Sequence, residues 1–328
     1  MTEQVRTEPG RPVLSVQILS WNTARLTTDA LDALARDEPE YSREILVLDN
    51  GSEDDTATVV GSRAGIRFVR SEDNTGYARG NNLLAREAQG DYVCFLGSDT
   101  RVHIGALDAL VRFLEDHDEY GAAAPRLVDI TLEKRPASEP LQSRVQCTCM
   151  RFPTIATAFV YDMAWKRWPV LRRFDDRYHY RDFDHEHDAD VEQPPGTCLV
   201  MRRELFEELG GFDEELWLFF NDVDLCKRIH ERGLRIRYLA GPTVEHHLGA
   251  STFAFGPRLV LWARNRRTYY RKHYGRLGAA FVGLMTRLRG IQEWFDIGRK
   301  YRDVRERREA RAELRRIVRA ALSKKPTV

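Results

Sequence analysis

The sequence has few cysteines and no long apolar run. Its five cysteines are scattered over 328 residues, an odd number that does not make the disulfide framework of a small secreted domain. The longest uncharged apolar stretch, Leu277–Thr286, has 10 residues, about half of the ~20 that cross a bilayer as a helix. The first 12 residues lack the apolar core of a signal peptide. We therefore expect a globular protein of the reducing cytoplasm with a flexible N-terminus at residues 1–12.

Two phosphate-binding motifs are also missing. The sequence contains neither G-x-G-x-x-G nor G-x-x-x-x-G-K-S/T, the glycine-rich turns that bind dinucleotides and nucleoside triphosphates. Their absence disfavours a dinucleotide-dependent enzyme and a P-loop nucleotide hydrolase.

What is present is enough apolar material for a core, together with an uneven charge distribution. Hydrophobic residues make up 42% of the chain, including 15 Phe, 12 Tyr and 6 Trp, which suits one large domain with an extension or two domains. The net charge of +1 divides into −13 before Arg264 and +14 over Arg264–Val328. An acidic body with a basic end indicates contact with anionic lipid or nucleic acid.

Short apolar runs alternate with amphipathic segments along the chain. Predicted strands cover 13–20, 44–48, 67–70, 91–96, 196–202, 236–239 and 244–247, and predicted helices cover 26–35, 55–62, 80–88, 105–115, 153–170, 204–209 and 219–232. This order is typical of βαβ units, so we predict an α/β fold with a Rossmann-like, mixed and largely parallel sheet flanked by helices. Residues 13–255 form this domain in two halves, 13–100 and 101–255. Residues 256–328 form a basic helical C-terminal region that ends with a helix over 299–322.

Polar residues follow several of the predicted strands. Asn22 follows the first strand, and Asp49 and Asn50 follow the second. Gly76 lies in the loop after the third strand, and Asp99 lies in the turn after the fourth. The carboxyl ends of parallel strands share one edge of the sheet, where such folds bind ligands. Taken alone each piece is also a common turn, but together they predict a nucleotide site.

Seven motifs in one order strengthen that prediction. They are LSWNTARL from Leu19, LVLDNGSEDDT from Leu46, NTGYARGNN from Asn74, DYVCFLGSDT from Asp91, GTCLVMRRELFEELGGFDEEL from Gly196, FFNDVDLCKRI from Phe219 and VEHHLGAST from Val244. With KHYG at Lys272–Gly275, the set resembles the family 2 glycosyltransferases of GT-A fold, and within them the rhamnosyltransferase-like branch. The resemblance implies inverting transfer of a sugar from a nucleotide diphosphate to an acceptor hydroxyl. It assigns the nucleotide to residues 13–100 and the acceptor and catalysis to residues 101–255.

The resemblance also implies a divalent cation, Mg²⁺ or Mn²⁺, at the departing diphosphate. Asp99 matches the last acid of the family's DxD-like element. His246 matches a histidine that helps to hold the metal, with His247 as the alternative. Carboxylate oxygens suit both ions, and a histidine beside them favours Mn²⁺. Gly97 stands where the family usually has Asp or Asn, which leaves one carboxylate in this turn.

Asp222 is the catalytic base that the resemblance implies, because it matches the second acid of the family's ED pair. Asn221 stands in place of the usual Glu, so the neighbour that would raise the pKa of the base by like-charge repulsion is neutral here. Asp224 matches the acid of DVDLC and is expected to brace the helix. Without the resemblance, Asp222 would be interpreted as an acid that stabilises a helix N-terminus.

Eight residues make up the implied nucleotide site. Asp49 is expected to accept a hydrogen bond from the imide N–H of a pyrimidine, and Gly76 lets the backbone approach the base or ribose. Arg79 reaches phosphate oxygens, with a solvated helix face as the alternative. The other members are Asn22, Asn50, Asn81, Asn82 and Ser98.

Two aromatic residues near Asp222 are predicted to contact the acceptor or the sugar. Trp217 and Phe220 offer flat apolar faces for a sugar ring, with core packing as the alternative. The segment 182–190 holds His185 and His187 among acids, and we expect it to be a loop that borders the acceptor cleft rather than a metal cluster.

The predicted function is transfer of L-rhamnose from dTDP-rhamnose to a glycan or lipid-linked acceptor in cell-surface polysaccharide or glycoconjugate synthesis. The alternatives are the same machinery with a UDP-sugar donor, and a catalytically silent protein that binds a sugar nucleotide or lipid. The basic C-terminal region has three interpretations: an anionic membrane contact, a solvated helical face and a nucleic-acid patch. We expect peripheral binding at the inner membrane face and no nucleic-acid partner.

Overall fold

The computed structural model describes residues 11–129, 145–162, 169–247 and 258–323. Within these ranges the chain forms one nine-stranded sheet with helices packed against it. The strands are β1 Leu14–Ser20, β2 Arg43–Asp49, β3 Ile66–Arg70, β4 Tyr92–Gly97, β5 Thr100–Val102, β6 Tyr120–Asp129, β7 Ala189–Asp190, β8 Cys198–Arg202 and β9 Arg235–His246. The helices are α1 Ala24–Arg36, α2 Thr56–Gly61, α3 Gly76–Glu87, α4 Ala106–Asp116, α5 Ile155–Asp162, α6 Pro169–Tyr178, α7 Arg203–Glu208, α8 Asn221–Glu231, α9 Arg258–Lys300 and α10 Val304–Leu322.

The strand order is β3-β2-β1-β4-β8-β6-β9-β5, with β7 paired to β9. β1 is parallel to β2 and β4, and β2 is parallel to β3. β8 is antiparallel to β4 and β6, so the start of β8 lies at the edge where β1, β2 and β4 end. The predicted α/β fold with a mixed, largely parallel sheet is confirmed.

Both faces of the central strands are apolar and buried. In β4, Tyr92, Cys94 and Leu96 join one core cluster, and Val93 and Phe95 join the other. Alternate side chains of a strand point to opposite faces. A strand covered on both faces therefore reads as an unbroken apolar run rather than an alternating one, which is why DYVCFL was recognisable as a strand.

Several elements differ from the prediction. The strand β6 was not predicted because its run of alanines is a poor strand former, yet Ala122 and Ala123 are fully buried there. The two strands predicted at 236–239 and 244–247 form one strand, β9, whose register against β6 shifts between them. The helix predicted within 153–170 corresponds to α5, and a second helix, α6, begins near the end of that predicted range.

The C-terminal region is helical, as predicted, with different boundaries. α9 runs to Lys300 and contains a break at Gly275, whose φ is 68°. α10 begins at Val304 because the Asp303 side chain caps it, accepting hydrogen bonds from the N–H groups of Arg305 and Glu306. None of the helices in the described ranges carries an apolar run sufficient to span a bilayer.

Candidate active site

Asp49 lies at the edge of the sheet where β1, β2 and β4 end, and its side chain is fully buried. Its Oδ1 accepts a hydrogen bond from the Ser52 N–H at 2.9 Å. Its Oδ2 lies 3.5 Å from Arg70 Nε and accepts no hydrogen bond within the described part of the chain. Buried polar atoms are nearly always hydrogen-bonded, so Oδ2 is suited to a ligand donor such as a pyrimidine imide N–H.

Asn22 and Asn50 support the loops around Asp49. Asn22 adopts a φ of 52°, and its Oδ1 accepts a hydrogen bond from the Glu53 N–H at 2.8 Å. Asn50 Oδ1 accepts hydrogen bonds from the N–H and the hydroxyl of Thr75 at 2.9 and 2.8 Å. Both amides therefore have a bracing role at the predicted nucleotide site.

Gly76 begins α3 at the point where the chain passes beside the indole ring of Trp217. Its φ is +82°, and a Cβ at this position would collide with that ring, so only glycine fits here. The Tyr77 N–H also donates to the Trp217 carbonyl at 2.7 Å. In this structure the close neighbour of the Gly76 backbone is Trp217. The predicted approach of Gly76 to the base or ribose stays a prediction.

The polar residues of α3 lie in different surroundings. Arg79 is exposed, so a phosphate can reach its guanidinium. Asn81 is buried, and its Nδ2 donates to the Tyr77 carbonyl at 3.0 Å. Asn82 exchanges two hydrogen bonds with the backbone of Phe212, at 2.9 Å from Nδ2 and 2.8 Å to Oδ1. Asn82 fastens α3 to Phe212, whereas the Asn81 bond lies within α3. Contact of these two residues with a nucleotide stays a prediction.

The turn after β4 carries Ser98 and Asp99, and both are buried. Thr23 Oγ1 donates to Ser98 Oγ at 3.2 Å, which ties this turn to the end of β1. Gly97 precedes the pair, and a Cβ there would lie 2.9 Å from Asp99 Oδ1. A side chain at position 97 would therefore displace the Asp99 carboxylate, which gives a physical reason for glycine at this departure from the family pattern.

Asp99 and His246 lie together, as expected for two metal ligands. Asp99 Oδ1 is 3.7 Å from His246 Nε2. His246 Nδ1 lies 2.9 Å from Gln146 Oε1, and Gln146 Nε2 donates to the His246 carbonyl at 3.1 Å. These two bonds orient the amide, so its oxygen accepts the Nδ1 proton. His247 uses its backbone N–H, which donates to the Asp99 carbonyl at 2.9 Å.

This arrangement leaves a lone pair on His246 Nε2 that faces a carboxylate. Burial lowers the pKa of His246, against the charge of Asp99, which raises it. Two electron-rich atoms facing each other are stabilised by a cation between them, and metal-bound histidines are oriented by a bond to the other ring nitrogen, as Gln146 provides. Ligand distances of about 2.1 Å allow one ion to reach both atoms. The donor set therefore fits a divalent cation.

Asp222 is the second residue of α8 and is half-buried. Its Oδ2 accepts a hydrogen bond from the Gly196 N–H at 3.1 Å, and its Oδ1 accepts one from the Val223 N–H at 2.9 Å. Burial raises the pKa of Asp222, although these hydrogen bonds act to lower it. A carboxylate with a raised pKa is a stronger base than an exposed aspartate.

The segment before β8 joins Asp222 to the Asp99 turn. The last N–H of β4 donates to the Thr197 carbonyl at 2.8 Å, and the adjacent Gly196 bonds Asp222. The Tyr77 hydroxyl donates to the Gly196 carbonyl at 2.7 Å. Burial raises the pKa of Tyr77, and so do the charges of Asp222 and Asp99. The candidate base and the candidate metal ligands therefore belong to one cluster.

Asn221 has a structural task that the usual Glu would not perform. Its Nδ2 donates to the carbonyls of Leu218 at 2.9 Å and Leu216 at 3.3 Å. Its Oδ1 accepts a hydrogen bond from the Asp222 N–H at 2.7 Å. An ionised glutamate has no proton for the two carbonyls, so this loop depends on an amide at position 221.

Asp224 lies on another side of the same helix, where three basic side chains contact its carboxylate. His273 Nε2 donates to its Oδ1 at 2.7 Å, Lys272 Nζ lies 2.9 Å away, and Arg228 Nε lies 2.8 Å from Oδ2. Burial alone would raise its pKa, but the hydrogen bond from His273 and the charges of Arg228 and Lys272 lower this pKa to about 2. The expected bracing role of Asp224 agrees with this geometry.

The two predicted acceptor residues have different surroundings. Phe220 is buried against Trp262 and Tyr269, with ring centroids 5.8 and 5.5 Å apart, so it is a core residue and the predicted contact with the acceptor is replaced by packing. Its φ of 65° sets the sharp entry into α8. Trp217 is half-buried beside Gly76 and stays a candidate for contact with the donor or acceptor.

The acidic histidine segment holds a histidine that is bonded within the fold. His185 is fully buried, its Nε2 accepts a hydrogen bond from the Cys149 N–H at 3.3 Å, and its Nδ1 lies 3.1 Å from the Phe183 carbonyl. Both ring nitrogens are thus used within the fold. Across the described ranges, no three His, Cys, Asp or Glu side chains come close enough to hold a metal.

Some residues of the site were not identified from the sequence. Gln146 lies in an irregular segment with no pattern to mark it. Tyr77 and Gly196 lie inside recognised motifs, but 119 positions separate them, and only the fold brings them together. Lys272 and His273 belong to KHYG, which was a family signal without an assigned task.

The mixed, largely parallel sheet flanked by helices belongs to the class of α/β folds that includes GT-A. The model of the family described as glycosyl transferase family 2 matches residues 15–210, and that of glycosyl transferase family 21 matches residues 190–286. The chain belongs to glycosyl transferase family 2, as its motifs indicated.

Curated relatives carry related names. The chain is 27% identical over 241 residues to an N-acetylglucosaminyl-diphospho-decaprenol L-rhamnosyltransferase of Mycobacterium tuberculosis, which covers 69% of this chain and 73% of the relative. It is 27% identical over 230 residues to the uncharacterized protein MT1568 of the same species, covering 69% of this chain and 64% of that protein, less than two thirds of its length. It is 25% identical over 250 residues to O-antigen biosynthesis protein RfbC of Myxococcus xanthus, covering 74% of this chain and 18% of RfbC. The chain is thus similar to the rhamnosyltransferase-like branch.

Two solved structures share the fold. GalNAc-T7 with UDP, GalNAc and Mn²⁺ matches with a TM-score of 0.54 at 15% identity, over 82% of this chain and 52% of that one. The mannosyltransferase PcManGT of Pyrobaculum calidifontis, in complex with GDP-Man and Mn²⁺, matches with a TM-score of 0.53 at 16% identity, over 95% of this chain and 86% of that one. The predicted GT-A fold is confirmed.

Proposed function

We propose that this protein is an inverting glycosyltransferase that moves a sugar from a nucleoside diphosphate to an acceptor hydroxyl. The observation that carries the proposal is one cluster in which residues 196–197 connect the half-buried Asp222 to the turn of Asp99, whose carboxylate faces His246. The reaction requires a base for the attacking hydroxyl and positive charge at the departing diphosphate. The cluster holds a proton acceptor, and two of its side chains would hold a divalent cation to supply the positive charge.

Asp222 takes the proton of the acceptor hydroxyl while the hydroxyl oxygen attacks the anomeric carbon. The bond from that carbon to the diphosphate oxygen breaks on the opposite side, so the configuration inverts. The Gly196 and Val223 N–H groups fix both carboxylate oxygens, and burial supplies the raised pKa that favours proton uptake.

Asp49 and Arg79 bind the nucleotide in this proposal. The imide N–H of a pyrimidine donates to Asp49 Oδ2, which accepts no hydrogen bond within the described residues, and the exposed Arg79 contacts phosphate oxygens. Thymine and uracil share the imide, so this contact suits dTDP and UDP donors alike. The similarity to an L-rhamnosyltransferase supports dTDP-rhamnose as the donor, with a UDP-sugar as the alternative.

Asp99 and His246 would hold a divalent cation, with Gln146 orienting the imidazole. When bound, the cation neutralises the charge that develops on the leaving diphosphate. An imidazole beside a carboxylate favours Mn²⁺ over Mg²⁺.

The acceptor in this proposal is a glycan or a lipid-linked sugar in the synthesis of a cell-surface polysaccharide, made on the cytoplasmic side. The names of the relatives support it, since one is an N-acetylglucosaminyl-diphospho-decaprenol L-rhamnosyltransferase and another an O-antigen biosynthesis protein.

The test is release of nucleoside diphosphate from a panel of nucleotide sugars with Mn²⁺, Mg²⁺ or EDTA. We expect release from one donor that EDTA abolishes, and that is lost in Asp222→Asn but kept in Asp116→Asn, a change at the exposed end of α4. Binding of a nucleotide with no release, unchanged by Asp222→Asn and by acceptor addition, would instead identify a silent binding protein.

A further inference from the structure

The second half of α9 carries an apolar stripe on its outer side. Leu277, Leu284, Ile291 and Phe295 are 85%, 48%, 55% and 56% exposed. Spacings of seven, seven and four residues place them on one face of a helix. At 1.5 Å per residue this face is about 27 Å long. We call these four residues the α9 stripe.

The other side of the same half-helix is already packed. Val282 and Met285 are buried, and the Arg311 guanidinium of α10 lies 3.6 Å from the centre of the Trp294 ring. Farther along the hairpin, Arg264 Nε donates to the Ala320 carbonyl at 2.8 Å. The α9 stripe is therefore left exposed by a hairpin that is already held together on its inner side.

Arginines border the α9 stripe. Arg276, Arg287 and Arg299 are exposed on this half-helix, within the segment Arg264–Val328 of net charge +14. Apolar residues on one face with basic residues beside them are the composition of helices that lie in a membrane interface. Basic side chains are attracted to the negative surface of an anionic bilayer.

The charge and the apolar residues together favour a lipid surface over a second copy of the protein or a nucleic acid. Pairing two copies through the α9 stripe would bring two segments of net charge +14 together. Nucleic acid would engage the arginines but would leave the four apolar side chains without a partner, because its affinity comes mainly from phosphate contacts.

We propose that the α9 stripe docks the protein on an anionic lipid surface, with its apolar side chains between the headgroups and Arg276, Arg287 and Arg299 at lipid phosphates. The stripe begins four residues after His273, which bonds Asp224 of α8. Docking thus holds the helix that carries Asp222 near the bilayer. This last consequence rests on the proposed function, and it specifies a lipid-linked acceptor.

The experiment is co-sedimentation of the full-length protein with vesicles of phosphatidylcholine, with or without phosphatidylglycerol, at low and high salt. We expect binding that requires phosphatidylglycerol and weakens at high salt. The double variant Leu284→Glu/Ile291→Glu should lose roughly tenfold or more of this binding, since carboxylates replace the inserted side chains and repel the lipid phosphates. Leu277→Glu, at a position that is 85% exposed, is a second variant with little risk to folding.

The matched control is Ile104→Glu, which places the same charge at an apolar residue that is 78% exposed and lies outside the C-terminal helices. It should bind vesicles as the wild type does. Wild-type protein that ignores anionic vesicles, or stripe variants that bind them normally, would overturn the proposal. So would a wild-type dimer in light scattering that the stripe variants dissociate, because the stripe would then serve a second copy.

The readout is separate from catalysis. Vesicle binding is measured without a nucleotide sugar, so failure of the proposed function leaves its result unchanged. An enzyme that releases nucleoside diphosphate but does not bind anionic vesicles would refute the docking surface alone.

Discussion

The first turn of α8 carries two carboxylates in opposite environments. Asp222 is half-buried and bonded by backbone N–H groups, and its pKa is raised by burial. Asp224 is fully buried, yet its contacts with His273, Arg228 and Lys272 lower its pKa to about 2. Both residues lie at the N-terminus of one helix, where the macrodipole favours an ionised carboxylate.

The difference therefore comes from the partners and not from the position in the helix. Burial without a counter-charge makes a carboxylate a better base, whereas burial with counter-charges makes it a fixed anion. Asp222 faces the end of the sheet, and Asp224 faces α9. In the proposed function, the first acid of NDVD therefore serves the chemistry and the second anchors the helix.

Replacing Asp222 by asparagine should remove the proposed base, and we expect this change to have the largest effect. We expect kcat to fall about 10²- to 10⁴-fold, because an amide cannot take the acceptor proton. The variant should be slightly more stable at neutral pH, since a carboxylate with a raised pKa destabilises the folded state once it ionises. Nucleoside diphosphate release and thermal unfolding measure both effects, with Asp116→Asn as the control. Wild-type turnover in Asp222→Asn would contradict the assignment.

Replacing Asp224 by asparagine should weaken the contacts that anchor α8 to α9. We expect the free energy of unfolding to fall by about 3 to 5 kcal/mol, because Lys272 and Arg228 lose their buried counter-charge. Since the pKa of Asp224 is lowered, its stabilisation is present above the unfolded value of ~3.9 and is lost as pH falls toward about 2. Denaturant titration at several pH values measures this.

Glu231→Gln is the matched control for Asp224. Glu231 lies 3.8 Å from His273 Nδ1, and its side chain is 56% exposed, so its replacement should cost under about 1 kcal/mol. Equal losses of unfolding free energy in Asp224→Asn and Glu231→Gln would show that the buried contacts of Asp224 stabilise the fold no more than a surface contact does.

Asn221→Asp should sharpen the comparison with a smaller effect. The change keeps the size of the side chain but removes the N–H donors to the Leu216 and Leu218 carbonyls. We expect a loss of about 1 to 3 kcal/mol in unfolding free energy at pH 8. The added negative charge should also raise the pKa of Asp222 further. Unchanged stability in urea titration would mean that the amide has no structural task.

The strands at the nucleotide edge could be predicted because each is buried on both faces and reads as an apolar run. The strand β6 could not, since its alanines match the strand pattern only after β8 and β9 enclose them. The final helix boundary also depends on a local contact, the Asp303 cap, which the charge pattern did not reveal.

At the site, the positions of the candidate acids could be predicted from the sequence, whereas the hydrogen bonds of the amides could not. Asp49 and Asp99 follow strands of the sheet, Asp99 faces His246, and Asp222 bonds Gly196. Their roles toward a nucleotide, a metal and the acceptor proton stay predictions. The amides Asn50, Asn81 and Asn82 are predicted to touch the nucleotide. In the fold, Asn50 bonds Thr75, Asn81 bonds Tyr77 of its own helix, and Asn82 bonds Phe212. Sequence motifs record that a residue is required, whereas the contact that requires it appears only in the fold.

The most direct test of the central claim is the pH dependence of kcat for the wild type and Asp222→Asn side by side. Because burial raises the pKa of Asp222, we predict a wild-type acid limb with a slope of about one proton and a midpoint above the ordinary aspartate value of ~3.9. The residual activity of Asp222→Asn should lack this limb. An identical acid limb in both proteins would show that another group is the base and would contradict the account.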